Sequence, residues 1–258
     1  MVLGRTGIFR LAAIDLDGTL LRSDGTISAR TRSALGTTDV VLVSARGGMG
    51  VLEIARTLEI SGTAICANGA YVVDIETGAT VRQRLLETAT ALELVHALRT
   101  RLPGILFAVE HHDFAHEPGF SAWNWTPPAG TRVADVVELL ADPATKLILR
   151  HPGHETEAIQ DLARELIGER LTVVASGTEA VEVTAAGVNK ATAVAELGVP
   201  PEHVVAFGDY PNDIPMLMWA GLGVAMGNAH PDVIAIADEV TASNDEDGVA
   251  LVLERLAT

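Results

Sequence analysis

Two aspartates separated by a single residue stand at the end of an apolar run near the start of the sequence. Asp15 and Asp17 belong to LAAIDLDGTLL, residues 11–21, and Gly18 follows them. A buried ionised carboxylate is very costly without a partner, so this pair needs a partner that makes its charge useful. Because side chains two residues apart can lean toward the same cavity at a strand end, we interpret the pair as functional.

A second acidic turn comes late in the chain and follows another apolar run. GDYPNDIPML, residues 208–217, holds Asp209, Asn212 and Asp213 at a predicted strand-to-helix turn. A first-turn acid accounts for Asp213 but leaves Asp209 unexplained. If the two strands are neighbours in one sheet, the carboxylates of Asp15, Asp209 and Asp213 converge. Three hard oxygen donors with open positions suit Mg²⁺, which shares its ligand shell with substrate phosphate.

Two further residues supply what a phosphate group requires. Ser44 ends the apolar run VVLVS, where its hydroxyl and the next backbone amide could hold a phosphate oxygen. Lys190 opens a predicted helix after GVN, residues 187–189, and offers a cation. Taken alone, Ser44 is typical of a turn and Lys190 of a solvated helix face. Together with the acidic turns, they indicate a site for a phosphorylated ligand.

These residues need a sheet that brings distant parts of the chain to one edge. Short apolar runs bounded by turn residues predict buried parallel strands. Helical patterns alternate with them, one of them starting from a Ser28 N-cap. This alternation predicts an α/β core with a doubly wound, mainly parallel sheet, whose ligands sit beyond the carboxyl ends of the strands. The predicted strands are 9–16, 39–44, 63–67, 203–207 and 222–226, and the predicted helices follow Ser28 and cover 49–60, 190–198 and 212–221.

The middle of the chain has a different pattern and predicts an inserted α+β domain. Helical patterns and strand patterns here do not alternate regularly, and a loop rich in Pro, Gly and Trp runs through about 113–130. We expect a core made of residues 1–80 and 187–258 and an inserted cap made of residues 81–186. The predicted helices of the cap are 87–102, 133–141 and 155–168, and its predicted strands are 104–112, 145–151, 171–176 and 180–185.

The composition excludes some classes of partner. The 258 residues include 34 acidic and 18 basic side chains, which give a formal charge of −16 and argue against nucleic acid or an anionic membrane as partner. We find no apolar run long enough to span a bilayer and no signal-peptide cleavage site, and we therefore expect a cytoplasmic protein. Cys66 is the single cysteine, and we expect it to be a small buried hydrophobe.

The order DLDGT, strand-terminal serine, lysine, GDxxND resembles the haloacid dehalogenase superfamily of phosphohydrolases. The similarity is greatest to its Cof-type branch, in which an α+β cap lies between the second and third motifs. Three more segments agree with that branch: ANGA at 67–70, AMGNAHPDV at 225–233 and SNDEDGVA at 243–250. One difference is that Ser44, Ala45 and Arg46 stand where the family commonly has Thr-Gly-Arg.

The resemblance implies a role for each motif residue. Asp15 is implied to be the nucleophile that forms an aspartyl-phosphate, and Asp17 the acid and base that serves the leaving oxygen and the attacking water. Mg²⁺ is implied as the cofactor, held by Asp15, the main-chain carbonyl of Asp17, Asp209 and Asp213. The implied phosphate-binding residues are Ser44, Lys190 and Asn212.

The inserted cap is expected to select the substrate, a small phosphorylated metabolite and in particular a sugar phosphate. Its most distinctive segment is EHHDFAHEPGFSAWNW, residues 110–125. The histidine spacing fits no standard zinc pattern, so we expect the histidines either to contact the substrate or to take part in polar packing. Stacking on a ring and packing within the protein both remain open for the tryptophans. The candidate specificity residues are His111, His112, His116, Trp123 and Trp125.

Two other functions are compatible with parts of the pattern. A phosphosugar mutase with a similar cap shares the motifs, although its relatives have a longer spacing in the fourth motif than GDYPND. A phospho-accepting signalling module of the response-regulator kind also uses an aspartate, Mg²⁺, a hydroxyl and a lysine on a doubly wound sheet. The large insertion, Asp17 and the GDxxND turn argue against the signalling module.

Overall fold

The computed structural model describes residues 9–111, 113–121, 127, 129–175 and 179–257. The chain divides into two compact units. One contains the described residues of Met1–Val81 and Asn189–Thr258, and the other those of Arg82–Val188. The predicted fold class is confirmed, because the first unit has a largely parallel sheet with helices and the second combines helices with a largely antiparallel sheet.

The strands and helices are numbered in chain order. The strands are β1 Leu11–Ile14, β2 Asp39–Val43, β3 Thr63–Cys66, β4 Tyr71–Asp74, β5 Thr80–Gln83, β6 Leu106–Glu110, β7 Phe114–His116, β8 Arg132–Val133, β9 Lys146–Arg150, β10 Leu171–Ala175, β11 Val181–Ala185, β12 Val204–Gly208, β13 Leu222–Ala225 and β14 Glu239–Val240. The α-helices are α1 Ala29–Leu35, α2 Gly48–Thr57, α3 Thr88–Arg101, α4 Val136–Leu139, α5 Thr156–Ile167, α6 Lys190–Ala195, α7 Ile214–Trp219, α8 Pro231–Ile236 and α9 Gly248–Leu256.

The core sheet has the order β14-β13-β12-β1-β2-β3-β4-β5. Strands β14 to β3 in this order run parallel, and β4 is antiparallel to β3. Strands β2 and β3 follow β1 on one side, and β12, β13 and β14 follow on its other side. The direction in which the chain adds strands therefore reverses at β1, as in a doubly wound sheet. The reversal lies between β1 and β12, so the crevice where such sheets bind ligands opens between the ends of these two strands.

Local sequence explains why these elements form where they do. All residues of β1 and β12 are buried, as expected for central parallel strands that are covered on both faces. Ser28 caps α1 by accepting a hydrogen bond from the Thr31 amide. Asn189 and Thr192 form a capping box that starts α6 at Lys190. The capping box therefore fixes the backbone position from which the Lys190 side chain extends.

The predicted helices and strands are all present, with ends that differ by a few residues from the expected ones. The helix expected over 212–221 begins as a 3₁₀ turn, Pro211–Asp213, before α7. Several short strands were not predicted, namely β4, β5, β7, β8 and β14. Three of these, β7, β8 and β14, have only two or three residues, which is too few to show a hydrophobic period.

The inserted unit has a sheet of order β10-β11-β9-β6-β7-β8. Its pairs are antiparallel, except that β7 and β8 run parallel. Alternate residues such as Phe107, Leu147 and Val183 pack with α3 and α5 in one apolar core. The helices therefore cover one face of this sheet.

Three charged side chains are buried on the other face of the inserted sheet. The Lys146 ammonium lies 2.9 Å from a carboxylate oxygen of Glu110 and 2.9 Å from one of Glu182. Glu110 stands directly opposite Lys146 in the ladder between β6 and β9. Burial acts to lower the pKa of Lys146, but the charges of Glu110 and Glu182 outweigh it and raise that pKa, so the lysine is ionised.

Among the described residues, no helix combines the length and the apolar character required to cross a membrane.

We predict that Lys146→Met lowers the free energy of unfolding by about 3 to 5 kcal/mol, because it removes the ammonium that lies beside two buried carboxylates. Thermal melting and urea denaturation of the full chain measure the effect. Arg170→Met is the matched control, since the pair of Arg170 with Glu93 is about half exposed and should contribute little to stability. Replacing Glu110 and Glu182 by leucine as well should recover the loss. A Lys146→Met protein as stable as the wild type would contradict the prediction.

Candidate active site

The aspartates that follow β1 and β12 meet at one edge of the core sheet. Ile14 pairs with Phe207 across the two strands, and the Asp15 amide donates to the Phe207 carbonyl at 3.1 Å. One carboxylate oxygen from each of Asp15, Asp209 and Asp213 lies within 4.8 Å of the others. The expected convergence of the three carboxylates is therefore present in the structure.

Lys190 is buried at the centre of this acidic cluster. Its ammonium donates to Asp15 Oδ1 at 2.6 Å and to Asp213 Oδ1 at 2.5 Å. The lysine side chain is 1% exposed, so its charge is almost fully removed from water. The solvated helix face that a lone lysine suggests is thus wrong for this position. Lys190 instead connects the turns after β1 and β12 from the first residue of α6.

Asp213 is held by the main chain of its own turn. Its Oδ2 accepts hydrogen bonds from the amides of Asp209 at 3.0 Å and Tyr210 at 3.1 Å. A Cβ at Gly208 would lie 2.4 Å from the Asp213 Cβ, so the turn has room for glycine alone. These contacts, together with Lys190, fix the orientation of the Asp213 carboxylate. The short spacing in GDxxND lets the Asp213 side chain reach back to the Asp209 amide.

Asp209 reaches back to the loop that follows β1. Its Oδ1 accepts a hydrogen bond from the Thr19 hydroxyl at 3.0 Å. Gly18 has a φ of +80°, and a Cβ there would fall 2.3 Å from Asp209 Oδ2. The glycine after the first two aspartates therefore serves two needs, a left-handed backbone and space for a carboxylate.

The cluster carries more negative charge than its one lysine balances. Burial raises the pKa of Asp209 to about 7, and the charge of Asp213 adds to this effect. Burial also raises the pKa of Asp15 well above its usual range, although the charge of Lys190 acts in the opposite direction. Burial acts to lower the pKa of Lys190, but the charges of Asp15 and Asp213 outweigh it and raise that pKa.

This imbalance fits a divalent cation. The Lys190 ammonium pairs with Asp15 and Asp213 but not with Asp209, and the pKa values of Asp15 and Asp209 are raised. A further positive charge nearby would lower both pKa values. Carboxylate oxygens are the ligands that Mg²⁺ prefers. The donor set of Asp15, Asp209 and Asp213 is thus compatible with a bound metal ion.

The Asp17 carboxylate lies outside this cluster and is paired with Arg46. Arg46 Nε donates to Asp17 Oδ2 at 2.7 Å, and its Nη2 donates to Asp17 Oδ1 at 2.5 Å. Both side chains are about half exposed. The pairing is bidentate, which fixes the plane of the carboxylate as well as its position.

The remaining phosphate-binding candidates lie on the turns beside the cluster. Ser44 is buried directly after β2, and its Oγ accepts a hydrogen bond from the Arg46 amide at 3.1 Å. Asn212 is buried in the turn before α7 and donates from Nδ2 to Asn68 Oδ1 at 2.9 Å. Both residues therefore belong to the same unit as the acidic cluster.

The described histidines of the inserted unit have ordinary polar contacts. His111 Nδ1 lies 2.8 Å from the Pro143 carbonyl, and His116 Nδ1 lies 2.8 Å from the Glu117 carbonyl. The His116 ring packs beside Phe114 and Phe120. Across the described part of the chain, the acidic cluster is the one potential metal site, and neither histidine belongs to it. His112, Trp123 and Trp125 lie outside the described residues.

Sequence reasoning missed four side chains that contact the site. Thr19 binds Asp209, Arg46 binds Asp17, Asn68 binds Asn212, and Asn228 donates to the Gly18 carbonyl at 2.8 Å. Thr19 and Arg46 stand inside or beside the motifs, and the two asparagines stand in the segments ANGA and AMGNAHPDV. The resemblance to the family therefore pointed to both segments, but it did not predict which residues their side chains contact.

We predict that Asp209→Asn becomes more stable relative to the wild type as the pH rises from 4 to 7 in the presence of a chelator. Between the usual pKa near 4 and the folded value near 7, the folded wild type binds more protons than the unfolded chain, so its stability falls as the pH rises. Asparagine cannot ionise and escapes this loss, which we expect to be on the order of 2 kcal/mol. Urea denaturation at several pH values measures the difference.

Asp161→Asn, on the exposed side of α5, is the control and should track the wild type at every pH. Curves for Asp209→Asn and wild type that stay parallel from pH 4 to 7 would contradict the predicted ionisation.

Comparison with known proteins agrees with the site geometry. Residues 12–253 match the family model described as haloacid dehalogenase-like hydrolase. The chain is 32% identical over 250 residues to the 5-amino-6-(5-phospho-D-ribitylamino)uracil phosphatase YcsE of Bacillus subtilis, covering 93% of each protein. It is 29% identical to the pyridoxal phosphate phosphatase YbhA of Escherichia coli, covering 93% of this chain and 96% of that protein.

A solved structure extends the likeness to three dimensions. A haloacid dehalogenase-like hydrolase from B. subtilis superposes with a TM-score of 0.80 at 27% identity, over 96% of this chain and 100% of the other. The match covers nearly the whole of both chains. The chain therefore belongs to the haloacid dehalogenase-like hydrolase family and is a phosphatase of its Cof type.

Proposed function

We propose that this phosphatase is Mg²⁺-dependent and hydrolyses a small phosphorylated metabolite, in particular a sugar phosphate, through an aspartyl-phosphate. One observation carries the proposal: the carboxylates of Asp15, Asp209 and Asp213 converge at the carboxyl edge of β1 and β12, where the buried ammonium of Lys190 pairs with two of them. A candidate nucleophile, a cation and candidate metal ligands thus lie at the crevice of a doubly wound sheet, which supports the proposal.

In the first step, an Asp15 oxygen attacks the phosphorus and the bond between phosphorus and the ester oxygen breaks. Asp17 gives its proton to the departing oxygen, which leaves as an alcohol. The covalent aspartyl-phosphate replaces one difficult displacement by two easier ones. In the structure both Asp17 oxygens accept hydrogen bonds from Arg46, which suits the ionised form that acts as the base in the second step. Asp17 must therefore release Arg46 before it can carry the proton of the first step.

In the second step, water attacks the phosphorus of the aspartyl-phosphate and the bond to Asp15 breaks. Asp17, now deprotonated, takes a proton from the water, and inorganic phosphate and the Asp15 carboxylate are restored. Ser44, Asn212 and Lys190 are the proposed donors to the phosphoryl oxygens. Lys190 is suited to this because its ammonium already lies 2.6 Å from the proposed nucleophile.

Asp15, Asp209, Asp213 and the main-chain carbonyl of Asp17 are the groups that would hold Mg²⁺. The metal would supply positive charge that offsets the repulsion between the Asp15 carboxylate and the phosphate dianion. The negative charge in excess of Lys190 is the feature of this chain that supports a metal.

The identity of the leaving group is proposed to depend on the inserted unit. Two relatives carry substrates in their names, a phosphoribitylamino-uracil and pyridoxal phosphate, and both are small metabolites with a phosphate on a primary alcohol. We propose that this chain selects within the same class, with His111, His112, His116, Trp123 and Trp125 as candidate contacts. A panel of sugar phosphates, 5-amino-6-(5-phospho-D-ribitylamino)uracil and pyridoxal 5′-phosphate would rank the substrates by kcat/KM.

We predict that Asp15→Asn reduces turnover of p-nitrophenyl phosphate by at least about 10³-fold, because an amide is a poor nucleophile toward phosphorus. Circular dichroism should show that the variant is folded. Asp161→Asn makes the same chemical change at an exposed position of the inserted unit and should retain wild-type turnover. Activity of Asp15→Asn near that of the wild type would refute the assignment of the nucleophile.

Removing divalent cations should abolish turnover, and adding Mg²⁺ should restore it. The same assay separates the alternatives, because sustained release of p-nitrophenol indicates a phosphatase and a single stoichiometric phosphorylation indicates a signalling module. Conversion of one sugar phosphate isomer into another without phosphate release would indicate a mutase. Full turnover in a strong chelator would contradict the dependence on Mg²⁺.

A further inference from the structure

The turn ANGA, residues 67–70, has an unusual backbone. Ala67, Asn68 and Gly69 have φ values of +50°, +56° and +103°, so three consecutive residues lie in the left-handed region. Such residues other than glycine cost free energy, and asparagine tolerates the region better than most. Alanine has no such tolerance, so surrounding contacts must hold the turn in this conformation.

Those contacts connect the turn to the other parts of the site. The Ala67 amide donates to the Arg46 carbonyl at 2.9 Å, and the Asn68 amide donates to the Ser44 carbonyl at 2.9 Å. A Cβ at Gly69 would lie 2.5 Å from the Asn189 carbonyl, which immediately precedes Lys190. The turn therefore touches the loop that carries Ser44 and the helix start that carries Lys190.

The Asn68 side chain completes the connection to the acidic turn. Its Oδ1 accepts a hydrogen bond from Asn212 Nδ2 at 2.9 Å, and the two residues are 3% and 8% exposed. A carboxamide nitrogen has two N–H groups. The hydrogen bond to Asn68 uses one of these N–H groups and fixes the rotation of the Asn212 amide. As a result the amide nitrogen, and not the amide oxygen, faces the turn 67–70. The second N–H remains as a donor.

We propose that Asn68 is a positioning residue for phosphoryl transfer, acting through Asn212. By accepting one N–H, Asn68 holds the Asn212 amide in the orientation that offers the other N–H to a phosphoryl oxygen. An inverted amide would offer its carbonyl oxygen, which repels an anion. The inference rests on the proposed function, in which Asn212 contacts the phosphoryl group.

The residue type fits both demands of the position. Asparagine is neutral, it accepts a hydrogen bond, and it adopts a left-handed backbone at low cost. Aspartate would satisfy the backbone and the hydrogen bond but would add a negative charge near the bound phosphate. Glycine would satisfy the backbone alone. Substitutions of Asn68 therefore distinguish the effects of its backbone conformation, its hydrogen bond to Asn212 and its charge.

The test is a double-mutant cycle of Asn68→Gly and Asn212→Ala with p-nitrophenyl phosphate as the substrate. We expect Asn68→Gly to lower kcat/KM by roughly ten- to a hundredfold, the effect of a misplaced catalytic group. In the Asn212→Ala background the same change should lower it by less than about twofold, because the group that Asn68 orients is absent. The inhibition constant of inorganic phosphate should rise in both single variants.

Glu59→Gly is the control for the backbone change. Glu59 is exposed beyond the end of α2 and also has a left-handed backbone, with a φ of +58°. Replacing it by glycine should leave kcat/KM unchanged. Thermal melting of each variant shows whether it is folded under the assay conditions.

Asn68→Asp gives a second, independent comparison if Asn68→Gly folds poorly. Its carboxylate still accepts the Asn212 N–H, so kcat should fall less than in Asn212→Ala, while the added charge should raise KM. An equal loss from Asn68→Gly in the two Asn212 backgrounds, or a kcat of Asn68→Asp as low as that of Asn212→Ala, would overturn the positioning role. A wild-type protein that turns over no phosphate ester would instead overturn the proposed function, and this inference with it.

Discussion

Three carboxylates converge at one edge of the core sheet, and a buried ammonium pairs with two of them. Like charges repel strongly in a site of low dielectric, so Asp15, Asp209 and Asp213 stay together only because Lys190 lies between two of them. Each partner is fixed in turn, Asp213 by the amides of its own turn, and Lys190 by the capping box that starts α6. The free protein thus holds an electrostatic imbalance that a further cation can relieve.

The sheet order makes this crowding possible. Residues on either side of the reversal between β1 and β12 come from distant parts of the chain, yet their strand ends are adjacent. Small residues then allow close approach, since Gly18 leaves space for Asp209, and Gly208 leaves space for Asp213. The same few contacts therefore determine the fold and the site. The pairing of β1 with β12 brings the aspartates together, and the two glycines leave room for their carboxylates.

Much of this site could be predicted from the sequence, because its main residues are tied to strand ends. Buried apolar runs that end in Asp15, Ser44 or Gly208 mark the edge of a parallel sheet, and all three lie there. Partners that depend on loop conformation could not be predicted. Arg46 meets Asp17, and Asn68 meets Asn212, through turns whose backbone angles no hydrophobic period encodes. The strand β4 was also missed, because the turn 67–70 that separates it from β3 has a left-handed backbone that the apolar pattern does not reveal.

The split of the core around the inserted unit has a consequence for how the protein is made. On the ribosome, β1 emerges early, but its central neighbour β12 appears only after all of Arg82–Val188 has been synthesised. The intervening unit has its own apolar core and can collapse while β1 is paired with β2 but still lacks β12 on its other side. Closing so long a loop is slow because its contacts are far apart along the chain. Nascent β1 to β3 thus expose an unpaired sheet edge to chaperones or to aggregation until β12 has been synthesised.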